Sequence, residues 1–297
     1  MRDGLVVVDK EPGWTSHDVV AKLRSVFGQK RVGHAGTLDP DATGVLLVGL
    51  GRATRLLRFL QAAPKVYRGT IQFGIATTTL DAAGEVTQKT EMTFSREELV
   101  VALAQFVGDI KQIPPMVSAI KIDGKRLYEL ARAGEEIERA PRPVTVYRFI
   151  LEDFGESKAG FPTATVLVEC SSGTYIRTLA ADLGEALGGC AHITTLRRLS
   201  SGSFDIDEAH ELDAIIANPD ECVLSTRIAM RDLVQIAVDA DTEKLVGHGR
   251  PITVDNTVYD QSGSYAIVGP KGSLLAIYEA RGNELVADVV VAPEAGE

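Results

Sequence analysis

The alternation of apolar and polar positions predicts the elements in order. GLVVVD (4–9) reads as a strand, EPGW as a turn, and SHDVVAKLRSVF (16–27) as a helix with Ser16 as its N-cap. In that helix Val19, Val20, Leu23 and Phe27 share one face. VLLVGL (45–50) is a buried strand, RATRLLRFL (52–60) a short helix, and VYRGTIQFG (66–74) alternates as a half-buried strand. SREELVVALAQFVG (95–108) opens with a capping box, Ser95 and Glu98, and carries Leu99, Leu103 and Phe106 on one stripe. From Lys111 to Pro143 the chain is Pro-rich and then basic, an extended arm with a short helix at YELARAG. TATVLVEC (163–170) is a strand. SSGTYIRTLAADLGEALGG (171–189) is a turn into a helix striped by Ile176, Leu179, Leu183 and Leu187, and ITTLRRLSSGSF (193–204) is a returning strand. Beyond about residue 230, short strands alternate with Gly, Pro and Asp turns, which predicts a small all-β module. Strands outnumber crossover helices and no internal repeat is present, so a mixed sheet is expected rather than a doubly wound one.

Composition narrows the class. Of 297 residues, 45% are apolar and 24% charged, as in a globular protein, and no run of 18 apolar residues offers a membrane span. The first residues lack the pattern of a signal or transit sequence. Cys170, Cys190 and Cys222 stand far apart without a CxxC pair, which fits a reducing cytoplasm and neither a disulfide framework nor a zinc site. The net charge of −10 argues at first against a polyanionic partner. Its distribution changes that: residues 1–70 carry +5, residues 110–148 carry +3, and residues 205–297 carry −12. Two basic segments are hidden by an acidic tail, and it is the local field that a polyanion meets.

Three stretches could carry chemistry. RVGHAGTLDPDATG (31–44) fixes Asp39 between a leucine and a proline in a constrained loop. It is no P-loop, since the GK[ST] ending is missing; GxGxxG and GxSxG are also absent from the chain. By residue chemistry alone, Gly33, Gly36 and Gly44 could equally serve a tight bend, with Asp39 and Asp41 as turn residues. In SSGTYIRTL, Tyr175 and Arg177 stand at the mouth of a helix, and the guanidinium fork suits a carboxylate; a core tyrosine and a surface arginine is the other reading. In KVYRGT, Tyr67 lies between Lys65 and Arg68, as a stacking platform for a base or as ordinary strand packing.

Taken together, LVVVDKEPGWTSHDVV, RVGHAGTLDPDATGVLLVGLGRATRL, KVYRGT, QIPPMVSAIKIDGKRLYELAR, SSGTYIRTLAADLGEALGG and LRRLSSGSF resemble, in order from residue 4 to about 206, the TruB family of tRNA pseudouridine synthases. The resemblance implies an α+β fold. Its catalytic domain, 1–230, would hold a mixed, mainly antiparallel sheet flanked by helices, with a thumb-like insertion at about 111–143. A small β module, loosely like a PUA domain, would follow at 231–297. It implies that Asp39 attacks a flipped-out uridine at position 55 of the tRNA T loop, that Arg177 pairs with this aspartate and that Tyr175 serves late proton transfer. Tyr67 would stack on the target base and His34 would sit among the flipped bases. Lys10, Lys65, Lys121, Arg126 and Leu199 complete the implied substrate contacts. The C1′–N1 bond would break and the base rejoin through C5, which moves no net electrons and no phosphate; no cofactor and no metal are implied. The implied partner is the tRNA T arm, met by a cytoplasmic monomer needing no protein partner. A non-enzymatic tRNA-binding or RNA-folding protein on the same scaffold is the rival. One departure is DKEPG, where the family reads DKPxG; it places Glu11 beside the expected phosphate path.

Overall fold

The structure is a computed structural model that describes residues 2–118, 121–122, 125–127, 130, 137–155, 160–253 and 263–291; the side chains of residues 121–126 lie outside the description. In chain order its strands begin β1 (Gly4–Lys10), β2 (Val32–Ala35), β3 (Thr43–Leu50), β4 (Lys65–Phe73), β5 (Ile75–Thr77), β6 (Val86–Lys89) and β7 (Gly108–Gln112). They continue as β8 (Lys121–Ile122), β9 (Lys125–Arg126), β10 (Arg142–Gly155), β11 (Thr163–Cys170), β12 (Ala191–Ser201) and β13 (Phe204–Asp205), then β14 (Val234–Ala237), β15 (Ile252–Thr253), β16 (Ser264–Val268), β17 (Leu274–Arg281) and β18 (Glu284–Val290). The helices are α1 (Ser16–Val26), α2 (Leu57–Ala62), α3 (Arg96–Ala104), α4 (Ile176–Ala186), α5 (Leu212–Ala217), α6 (Thr226–Ala229) and α7 (Ala240–Gly247). The chain divides into two compact units, one of residues 1–62 and 201–297, the other of residues 63–200.

In the first unit β3 pairs antiparallel with β1 and β2, Val7 opposite Leu47 and His34 opposite Val48. Both β1 and β3 are buried nearly throughout, which is why they read as continuous apolar runs. Helix α1 buries Val19, Val20 and Leu23. Its N-cap is Thr15, not Ser16: the Thr15 hydroxyl accepts from the Asp18 N–H, and the Asp18 carboxylate accepts from the Thr15 N–H. Such a cap stabilises a helix by about 1 kcal/mol, and it leaves the Ser16 hydroxyl available elsewhere.

The C-terminal sheet runs β14-β16-β17-β18-β15, with β14 parallel to β16 and the other pairs antiparallel. Its strands alternate between two cores. Ala266, Leu274, Ile277 and Val289 face a cluster shared with Leu5, Val7, Leu47, Leu56 and Leu60. Ile267, Leu275 and Tyr278 face a second cluster closed by Val246 of α7. The small C-terminal sheet module is present as expected, and one helix joins its strands, because Asp239 caps α7 through the Thr242 N–H. It is not packed on its own: one face is completed by residues 5–60.

In the second unit the strands follow the order β12-β4-β11-β10-β7, with β4, β11, β10 and β7 antiparallel in turn, and α3 and α4 cover one face. Val166, Val168 and Cys170 point inward from β11 at strand spacing. On β10 a bulge after Val146 shifts the register, so Phe149 and not Arg148 is the next inward residue. Helix α3 carries the expected capping box, Ser95 with Glu98. Helix α4 buries Ile176, Leu179 and Leu183, each side chain contributing about 1.5–3 kcal/mol.

Candidate active site

Within the first unit the segment between β2 and β3 positions Asp39. Gly36 has φ +83° and Gly44 has φ +97°, left-handed values that favour glycine, so the bend needs these residues. Leu38 is buried, and its N–H donates to the Ser16 hydroxyl at 2.9 Å. The Asp39 carbonyl accepts from the Ala42 N–H at 3.2 Å, and the Pro40 carbonyl accepts from the Gly13 N–H at 3.0 Å. Lys10 has no exposed surface. Its ammonium donates to the carbonyls of Glu11, Trp14 and Pro40 at 2.9, 2.7 and 2.8 Å. These bonds make Lys10 an internal tie between the end of β1 and the loop. His34, half-buried on β2, meets the exposed His17 edge to face, ring centroids 5.3 Å apart.

Within the second unit Tyr67 lies on β4 opposite Val168, half-buried against the core. Lys65 shares its face two residues earlier, opposite Cys170. It is 5% exposed and donates to the Ala63 carbonyl at 2.5 Å. Burial, and then the Arg198 guanidinium, push its ammonium down to about 8. Lys65 is thus an enclosed cation on the strand that carries Tyr67. Leu199 is half-buried on β12, next to the fully buried Arg198.

Tyr175 is the N-cap residue of α4 and has no side-chain capping bond. Its backbone is gripped by one amide: the Tyr175 N–H donates to Gln112 Oε1 at 3.0 Å, and Gln112 Nε2 donates to the Tyr175 carbonyl at 3.2 Å. Gly173, with φ +83°, lets the chain turn into this position. Arg177 is 4% exposed. Nη1 donates to the Thr79 carbonyl and Nη2 to the Val117 carbonyl, both at 2.9 Å, and Nη1 lies 3.5 Å from Asp81 Oδ2.

Asp81 is itself well built in. Its Oδ1 accepts from the Thr79 hydroxyl at 2.5 Å and from the Ala83 N–H at 3.1 Å, and its carbonyl accepts from Thr77 Oγ1 at 2.6 Å. Leu80, with φ +61°, is the one non-glycine residue with positive φ among those described. Such a backbone costs on the order of 1–2 kcal/mol, offset here by the Leu80 carbonyl accepting from the Ile193 N–H. Sequence reasoning missed Asp81 and Gln112. The dense Thr-Thr-Thr-Leu-Asp run at 77–81 was the available signal for the first; Gln112 had none.

The hairpin β8–β9 sets Lys121 opposite Arg126 in the backbone register. The side chains of both, and most of the helix expected at YELARAG, lie outside the described residues. Each unit thus presents pre-positioned polar groups: a carboxylate on a fixed loop in one, a phenol and a guanidinium at a helix start in the other.

Known proteins resemble this chain over nearly its whole length. Residues 24–176 match the family described as TruB family pseudouridylate synthase (N terminal domain), and residues 177–235 match the tRNA pseudouridylate synthase B C-terminal domain. A tRNA pseudouridine synthase B of Rhodococcus jostii is 44% identical over 98% of this chain and 94% of its own. One from Streptococcus thermophilus is 42% identical over 95% of this chain and 96% of its own. Among solved structures, a chain in a Cbf5-Nop10-Gar1 complex superposes with a TM-score of 0.75 at 25% identity, covering 98% of this chain and 85% of that one. A chain of an H/ACA RNP bound to a substrate RNA containing 2′-deoxyuridine has the same TM-score at 23% identity, covering 98% and 86%.

Proposed function

This chain belongs to the TruB family of pseudouridylate synthases, enzymes that form pseudouridine in tRNA, and on that premise we propose that it isomerises the T-loop uridine at position 55 through Asp39. The observation that carries this reading is the loop itself: a half-buried carboxylate whose neighbours Leu38 and Pro40 are both anchored by hydrogen bonds. An aspartate is ionised at neutral pH. As an anion it can attack C1′, or take a proton from the sugar, as the C1′–N1 bond breaks. The uracil then turns and bonds through C5, and the C5 proton leaves.

Unlike glycoside hydrolysis, which sets two carboxylates on either side of the bond, this reaction delivers no water and needs only one. Arg177 keeps the carboxylate ionised where solvent is excluded. The Tyr175 hydroxyl accepts or relays the C5 proton. Extruding the uridine costs a few kcal/mol, which stacking on Tyr67, about 1–3 kcal/mol, offsets together with contacts near His34. The basic segments at 1–70 and 110–148 hold phosphates, and loop shape guides recognition more than paired sequence. The reading calls for no cofactor, no metal, no second copy and no protein partner. Three buried free cysteines suit a reducing cytoplasm.

The test is an unmodified T-arm RNA carrying tritium at C5 of uridine. Label released to water in step with turnover supports the reading; an RNA that is bound but never releases label favours a pure RNA-binding role.

A further inference from the structure

We propose that Ser16 is a positioning residue for the reaction, its hydroxyl fixing the peptide group that carries Asp39. The inference rests on the reading of Asp39 above. Thr15 caps α1, so the Ser16 hydroxyl is not used at the helix end. Ser16 is 1% exposed and reaches 22 positions along the chain to Leu38. There it makes two bonds: the Leu38 N–H donates to its oxygen at 2.9 Å, and its own O–H donates to the Leu38 carbonyl at 3.3 Å. That carbonyl belongs to the peptide group that ends in the Asp39 nitrogen. The hydroxyl therefore sets the peptide plane immediately before the carboxylate-bearing residue.

The plane after it is set differently. Pro40 confines Asp39 to extended backbone, and the Pro40 carbonyl is held by the Gly13 N–H and the Lys10 ammonium. Asp39 is thus bracketed by a serine hydroxyl on one side and a proline ring on the other. Remove the hydroxyl, and a buried N–H loses its partner. The 38–39 peptide then turns to recover one, and the carboxylate swings with it. A displacement of about 1 Å at a reacting group costs on the order of 100-fold in rate.

The test uses the full chain and T-arm RNA with tritium at C5, reading single-turnover rate, RNA dissociation constant and thermal midpoint together. Ser16→Ala is expected to lose about 100-fold in rate with RNA affinity unchanged. Ser16→Thr, which keeps the hydroxyl, recovers most of that loss. Leu23→Ala removes a buried side chain from the same helix without touching Leu38; it lowers the midpoint and leaves the rate of folded protein intact. Should Ser16→Ala not fold, Ser16→Cys takes its place, with an intermediate rate expected because a thiol is a poorer partner.

A wild-type rate in Ser16→Ala or its Cys substitute overturns the proposal, and so does a Leu23→Ala variant that slows as much. Asp39→Asn, run alongside, separates the two failures. If it is active, the reading of Asp39 falls; if it is inactive while Ser16→Ala runs at full speed, only the role of Ser16 falls.

Discussion

The loop over 36–42 and the segment over 77–83 each restrain one charged group of the proposed chemistry, and they do so from opposite ends. Asp39 is short, so its carboxylate goes where its backbone goes, and the hydrogen bonds fall on the peptide groups of Leu38, Asp39 and Pro40. Arg177 is long, with four side-chain torsions to fix, and the bonds fall on its head: the carbonyls of Thr79 and Val117 and the carboxylate of Asp81. A short acid is positioned through the main chain, and a long base through the partners of its guanidinium. Substitutions around the first should act through peptide geometry, and those around the second through charge and donor geometry.

That contrast orders the tests by size. Arg177→Lys keeps the charge but loses the planar fork that serves two carbonyls, so its rate should fall about 100- to 1,000-fold. A loss below tenfold would mean that the fork is dispensable. Asp81→Asn keeps shape and the Ala83 contact while removing the negative charge, and a drop of about 10- to 100-fold in single-turnover rate is expected with RNA affinity unchanged. If affinity alone changed, Asp81 would belong to RNA docking and not to the restraint of Arg177.

Gln112→Ala strips the amide from the Tyr175 backbone, leaving its N–H without that acceptor while its carbonyl keeps the Leu179 N–H, and should cost about 1–3 kcal/mol of stability with a modest fall in rate. An unchanged melting temperature would show that water replaces the amide at no cost.

The smallest effect on the reaction is expected at Lys65, which is read as pH dependence of stability. Its pKa in the folded chain is lowered to about 8, chiefly by burial, while the unfolded chain keeps the ordinary value. Between about pH 8 and 10.5 the unfolded state binds more protons, so this residue makes stability rise with pH across that window, by roughly 3 kcal/mol in all. Below pH 8 both states hold the proton and the cost of a buried cation is present in full. Lys65→Met should flatten the rise in denaturant titrations at pH 7.5 and pH 10. An identical slope in both proteins would place the ammonium in contact with solvent.

The same contrast explains what the sequence disclosed. Backbone restraint leaves marks in the chain: left-handed glycines at 36 and 44, a proline at 40, and an Asp that cannot move between them, all readable within fourteen residues. The box of Ser95 and Glu98 was legible for the same reason, since both bonds are local. Restraint at a side-chain head leaves none. The partners of Arg177 include residues from positions 79, 81 and 117, distant from it along the chain and brought to it only by folding. Ser16 was legible as a polar residue at a helix start, but Thr15 competes for the cap, and only the folded chain shows which hydroxyl caps and which crosses to Leu38. Helix α7 went unseen because its eight residues carry one buried side chain, Val246, too few for a helical stripe.

The most direct test of the central claim replaces one atom group. Asp39→Asn keeps the side-chain shape and removes its charge and basicity. In a single-turnover assay with C5-tritiated tRNA, it should bind RNA as the parent does and release no label above background. Release at the parental rate would contradict the account.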